Sequence, residues 1–135
     1  MRDKTKTLLY KWFHEVWNQG LEDSIEQLMA TNSFAHGIKA EEQMKGPSGF
    51  KTFYHGFKDQ FDDIHIDVKE VVSQDDMECA LTDVTATHKE SGKRISFTGL
   101  CMVRIENNQI AEAWNQYDFQ GMQQQLEQEP TTLTE

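Results

Sequence analysis

The sequence predicts an α+β fold, because hydrophobic spacing is helical up to residue 61 and alternates strictly beyond residue 63, with short turns between the alternating runs. Helices first and strands afterwards place the helices on one face of an antiparallel sheet. Leu8, Leu9, Trp12, Phe13, Val16 and Trp17 recur at helical spacing before Gly20, so residues 4 to 18 read as an amphipathic helix with an aromatic stripe. A shorter helix is expected over residues 22 to 29. The irregular stretch after it, around Phe34, Ala35 and His36, has room for a short strand.

Pro47 after Gly46 opens the next helix at the position where a missing N–H costs nothing. Phe50, Phe53, Tyr54, Phe57 and Phe61 follow at helical spacing and point one way. With Tyr10, Trp12, Phe13 and Trp17 they make nine of the fourteen aromatic residues, so two helices carry most of the bulky apolar surface.

The period then changes. Ile64, Ile66 and Val68 alternate with His65, Asp67 and Lys69, and Val71-Val72 continues the strand past an irregularity. Residues 77 to 88, 94 to 105 and 109 to 118 form three more strands, separated by Gln74-Asp75-Asp76, Glu90-Ser91-Gly92 and Asn107-Asn108; the last is a tight hairpin turn. The third of the four strands is apolar on both faces, with Ile95, Phe97, Cys101 and Val103 on one and Leu100 and Met102 on the other. A sheet covered by helices on one side has no need of an apolar back, so a homodimer through that back is expected.

A chain of 135 residues suits one domain, assigned to residues 1 to 127, with a polar tail over 128 to 135 expected to be disordered. The net charge of -10 comes without any Lys or Arg cluster, which argues against nucleic acid or an anionic membrane as partner. No apolar run reaches the roughly 20 residues of a membrane span, and the polar start lacks the pattern of a secretory signal, so a cytoplasmic location is expected. Cys79 and Cys101 sit in separate strand patterns and read as reduced core residues. The five histidines lack the spacing of a zinc site, and no metal is expected.

Chemistry is most visible at the end of the last strand. In Trp114-Asn115-Gln116-Tyr117-Asp118, strand alternation puts Trp114, Gln116 and Asp118 on one face, setting a carboxylate beside a large apolar wall. Desolvation there would lift the carboxyl toward neutrality and fit it for proton transfer. His36, in the irregular stretch, is the next candidate, able to pair with Asp118 or to bond a substrate carbonyl. Trp17, Phe34, Tyr54, Phe57 and Trp114 are the expected pocket wall, with the Tyr54 hydroxyl in need of a partner. His88 ends a strand where it can reach the cavity, and Gln116, rather than Asn115, shares the Asp118 face unless a bulge intervenes. His14, His55 and His65 read as surface or boundary residues.

Several strings resemble the SnoaL-like polyketide cyclase family within the nuclear-transport-factor-2-like fold, over most of residues 5 to 127. They are Trp17-Asn18-Gln19-Gly20, Gly46-Pro47-Ser48-Gly49-Phe50, Thr87-His88, and Trp114-Asn115-Gln116-Tyr117-Asp118 leading into Gly121-Met122-Gln123-Gln124-Gln125-Leu126. The resemblance implies a cone: a curved sheet wrapped around a long helix, with a pocket inside. It further implies an aspartate acting as general acid/base in an aldol ring closure without metal or organic cofactor, and Asp118 is the matching residue. Two departures are present: Leu126 is followed by Glu127 where the family commonly has Gly, and the segment between His88 and Gly99 is shorter than in the cyclases. The expected function is a cofactor-independent cyclase, isomerase or hydrolase acting on a small apolar, oxygen-bearing molecule. The same fold also hosts pocket proteins without catalysis and dimeric scaffolds.

Overall fold

A computed structural model describes residues 3–37 and 44–127. The first helix is not uniform. A 3₁₀ turn (Lys4–Lys6) leads to α1 (Leu8–Trp12), which runs on as a π-wound segment (Phe13–Asn18) where the Gln19 N–H reaches back five residues to the His14 carbonyl. Thr7 separates the first two pieces by capping α1, its hydroxyl accepting from the Tyr10 N–H at 3.2 Å. From the sheet, the Glu78 carboxylate accepts from the Leu8 and Leu9 N–H groups, filling the positive end of the helix. At the other end Asn18 donates to the Ile66 carbonyl and accepts from the Ile66 N–H, at 2.8 and 2.7 Å, so the π-wound segment is pinned to a strand. Wider winding of this kind recurs at functional sites.

After α2 (Asp23–Leu28) come β1 (Met29–His36), β2 (Met44–Lys45), α3 (Gly46–Gln60), β3 (Phe61–Gln74), β4 (Met77–His88), β5 (Arg94–Glu106), β6 (Gln109–Tyr117) and α4 (Phe119–Glu127). The expected four-strand meander is present as β3 to β6, in a six-stranded sheet of order β2-β1-β6-β5-β4-β3. The sheet is mixed, because β1 lies parallel to β6. Phe61, expected as the last ring of the α3 stripe, instead opens β3, where it stays buried. Asn107 and Asn108 both take positive φ, the geometry that a two-residue hairpin between twisted strands requires. Residues 128 to 135, expected to be a disordered tail, lie outside the described residues.

The helices cover one face of the sheet and the core lies between. α3 contributes Phe50 and Tyr54, α1 and its continuation Leu9, Trp12, Phe13 and Val16, and the strands Ile66, Val84, Ile95 and Val103. The opposite face carries Leu81 and Leu100, cross-strand partners, together with Val72 and Met102; Leu100 is 48% exposed and Met102 40%. Cys79 and Cys101 are free thiols, and because Ala80 is the cross-strand partner of Cys101, the two cysteines lie on opposite faces of the sheet. Burial pushes the Cys101 thiol up to about 12.

The structural surprise is in β6. Opposite Arg104 and Ile105 the register shifts by one residue, and Ile110 and Ala111 are buried in succession. This bulge reverses the phase of the rest of the strand. Ala111, Ala113, Asn115 and Tyr117 turn toward the helices, while Glu112, Trp114 and Gln116 turn to the back.

Candidate functional site

A chamber of about 50 Å³ lies between the helices and the concave face of the sheet. Trp17 forms its centre. Its ring meets those of Phe50, Phe53 and Phe57 edge-on, with centroids 5.8–6.2 Å apart, an arrangement favoured by ring quadrupoles. The far wall is a second cluster, Phe97, Tyr117 and Phe119, with centroids 5.7–6.4 Å apart. Ile64, Ile66 and Val84 close the floor.

Two polar side chains line this apolar space, Asn115 and Tyr117, both from β6. The Asn115 amide nitrogen donates to the His36 carbonyl at 2.9 Å, which holds the side chain still. Among the described residues its Oδ1 has no hydrogen-bonding partner, and neither does the Tyr117 hydroxyl. The Tyr117 ring lies over Gly99, its cross-strand partner, where any Cβ would overlap it. Burial, aided by the neighbouring Cys101 sulfur, holds the Tyr117 phenol well above its ordinary range, so it keeps its proton and acts as a donor.

Of the residues expected to form the site, the structure brings Trp17 and Phe57 into the chamber. The remaining expectations need correction. Asp118 follows the reversed strand, is exposed, and accepts from the Gly121 N–H at 2.9 Å as the N-cap of α4. Trp114 therefore does not desolvate it inside a pocket. His36 lies on the back, stacked on Trp114 at 5.7 Å and bonded through Nε2 to Glu112 at 2.8 Å. That bond, ahead of the smaller pull of Arg104, holds the Glu112 carboxyl below its usual range. Phe34 and Gln116 share this outer face and are exposed. Tyr54 is a satisfied core residue, 1% exposed, donating to the Val16 carbonyl at 2.9 Å. His88 packs on the Phe61 ring and bonds Ser91 through Nδ1 at 2.8 Å, as part of the β4–β5 turn.

Chamber residues not foreseen include Phe53, Phe97, Asn115, Tyr117 and Phe119. One cue lay in the Gly99 opposite Tyr117: a glycine inside a strand commonly marks a place where a ring or ligand comes close.

A second hollow of about 330 Å³ lies outside the chamber, between α3 and α4, lined by Thr52, Gly56, Gln60, Phe61 and Met122 and by three residues that also wall the chamber, Phe53, Phe57 and Phe119.

The SnoaL-like polyketide cyclase family matches residues 7–126 of this architecture. The chain belongs to that family. Solved structures share the fold at low identity. IdmH of Streptomyces antibioticus, a candidate polyketide cyclase, is 21% identical, with 88% of this chain and 95% of that one covered and a TM-score of 0.77. A candidate polyketide cyclase of Acidithiobacillus ferrooxidans is 24% identical over 93% and 96% of the two chains, with a TM-score of 0.78. A protein of Catenulispora acidiphila with a ketosteroid isomerase-like fold, solved with trimethylamine, is 11% identical over 89% and 92%, with a TM-score of 0.79. No curated protein matches the chain. Among the described residues of this SnoaL-like chain, no helix is long and apolar enough to cross a membrane.

Proposed function

We propose that this SnoaL-like protein is a cofactor-independent cyclase-type enzyme whose chamber takes the oxygen-bearing end of a small apolar molecule. The observation that carries the reading is the pair of polar groups left without protein partners in an otherwise aromatic space, the Tyr117 hydroxyl and Asn115 Oδ1. A ligand oxygen takes the place of water at these two atoms and forms its bond among apolar rings, where a hydrogen bond is stronger than in bulk water. The Tyr117 hydroxyl donates to a carbonyl oxygen, and Asn115 Oδ1 accepts from a ligand hydroxyl.

Ring closure by aldol chemistry begins when a base removes a proton from the carbon beside a carbonyl. The C–H electron pair moves into the enolate, whose oxygen gathers charge. Tyr117 is placed to stabilise that charge, since its hydrogen bond strengthens as the oxygen becomes negative. Asp118, between the chamber residues Tyr117 and Phe119, is the carboxylate we assign as base, acting from the rim rather than from a desolvated pocket and only when its bond to the Gly121 N–H is released. The exposed, engaged state of Asp118 favours a second reading, a pocket that binds without catalysing.

Deuterium incorporation at the α-carbon of 2-tetralone in heavy water, followed by proton NMR, separates the two. The catalytic reading expects exchange above the buffer rate, reduced about 10²-fold in Tyr117→Phe, the size of a lost oxyanion donor. Binding of 2-tetralone with only background exchange in the wild type leaves the passive reading.

The apolar back of the sheet is proposed as a homodimer interface. Leu81, Leu100, Met102 and Val72 lie together there beside Trp114, and the His36–Glu112–Arg104 group borders them.

A further inference from the structure

The chamber is too small for its proposed ligand. A dry cavity of roughly 150 Å³ holds benzene, whereas the chamber has about 50 Å³. The hollow next to it is several times larger, about 330 Å³, and is divided from it by Phe53, Phe57 and Phe119. Two of those rings belong to α3, which is anchored by the buried Phe50 and Tyr54. The third belongs to α4, a helix with no fully buried residue. Of the three dividing rings, Phe119 therefore has the weakest support.

α4 rests on the core through the half-buried Phe119, Met122 and Leu126, and polar bonds fix its position. Asp118 caps it, and the Lys93 Nζ donates to the Leu126 carbonyl at 2.9 Å. Gln125 makes the most specific attachment. β6 ends opposite Gly99 and the Asp118 N–H bonds the Thr98 carbonyl at 3.0 Å, so the β5 edge lacks a strand partner beyond Thr98. The Gln125 side-chain amide pairs with this edge as another strand would: Oε1 accepts from the Ser96 N–H at 2.9 Å and Nε2 donates to the Ser96 carbonyl at 2.6 Å. One rotamer change undoes both bonds without disturbing the core.

We propose that α4 is a latched gate: when Gln125 lets go of Ser96, Phe119 swings out with the helix and chamber and hollow merge into one site. The merged site has room for a body of two fused rings against Phe57 and Met122, with an oxygen at Tyr117. This rests on the reading of the chamber given above and adds the size of the ligand and the element that admits it. Opening also frees the Asp118 carboxylate, since the Gly121 N–H that it caps moves with the helix.

The test combines backbone hydrogen exchange with calorimetric titration of 2-tetralone, in wild type, Gln125→Ala and Phe119→Ala. In the unliganded protein, the Ser96 and α4 amides are expected to exchange together and well ahead of core amides such as those of Val103 and Ala113. Gln125→Ala is expected to speed Ser96 exchange about tenfold, the effect of two modest hydrogen bonds. Because only the open form binds, it is expected to tighten 2-tetralone by a similar factor. Phe119→Ala, which removes the dividing ring and keeps the latch, is expected to tighten it as well. Exchange of α4 only together with the core overturns the gate, whatever the chamber binds. Faster Ser96 exchange with unchanged or weaker affinity in Gln125→Ala also overturns it, and leaves the chamber reading intact. Failure of 2-tetralone to bind any of the three proteins overturns the chamber reading and this inference with it.

Discussion

The most informative perturbation is at Asp118, because two substitutions separate its two roles. As the N-cap of α4 its side chain satisfies the Gly121 N–H, and replacing such a cap by Ala costs about 1 kcal/mol. For a chain of this length that corresponds to a melting temperature lower by roughly 3–5 °C. Asn caps as well as Asp, so Asp118→Asn is expected to melt within about 1 °C of wild type while offering no carboxylate. Any loss of 2-tetralone exchange in that variant then belongs to chemistry, and a base removed from such a step costs about 10²- to 10⁴-fold.

Gly121 supplies an independent check. A Cβ there would overlap Asp118 Oδ2 and lie 2.8 Å from Cγ, so the cap depends on the missing side chain. Gly121→Ala gains about 1 kcal/mol of helix propensity and loses a cap of similar worth, for almost no net change. Thermal melts followed by circular dichroism on the three variants suffice. If Asp118→Ala melts with the wild type, or Gly121→Ala is stabilised by the whole propensity gain, the carboxylate is not on the helix and the argument fails.

Three further outcomes follow from geometry. Gly99→Ala would place its Cβ 2.9 Å from Tyr117 Cγ and is expected to cost about 1–3 kcal/mol by overpacking and to weaken 2-tetralone binding; in a Tyr117→Ala background the stability cost should vanish, as denaturant titration of the double-mutant cycle would show. Leu100→Glu puts a charge at the centre of the apolar back and is expected to give a particle of 15.7 kDa by light scattering where the wild type gives twice that; a wild type already at 15.7 kDa removes the dimer. Glu112 is held below its usual range in the fold, so it binds its proton more readily when unfolded and contributes stability that is complete above about pH 4.3 and lost as pH falls through the lower folded value. The gap in melting temperature between wild type and Glu112→Gln should therefore be present at pH 6 and shrink below pH 4, and a gap that grows on acidification would contradict the His36–Glu112 bond.

The elements and the meander were legible because each rests on local chemistry: Pro47 at the first turn of α3, the alternation from Ile64 to Val68, and the paired asparagines of the hairpin. The parallel contact of β1 with β6 was not legible, since it joins residues nearly eighty positions apart and leaves only a weak pattern in β1. The site was misread for a more instructive reason. That Trp114, Gln116 and Asp118 alternate with Asn115 and Tyr117 was correct; which set faces inward depends on the bulge near Ala111, a single extra residue that period-two reasoning cannot see.

Size pointed the wrong way as well, and volume explains it. A large Trp in a terminal strand looks like pocket wall, but the interior is already occupied by Trp12, Phe13, Trp17, Phe50 and Tyr54 from the helices. The inner positions of β6 must therefore be small where those rings press on the strand, as Ala111 and Ala113 are, and can carry larger polar groups only past them, where Asn115 and Tyr117 meet the chamber. Bulk excluded from the inside appears outside as Trp114, beside the patch assigned to the dimer. The bulge thus sets two surfaces at once: it delivers the phenol and amide to the chamber and turns the indole to the back. Pairing β6 in strict alternation from Ile110 with all its residues kept would exchange the two, burying Glu112 and Trp114 against the helices and exposing Asn115. A buried Glu112 charge stripped of its partners is strongly unfavourable, so the bulged register is the one this strand adopts.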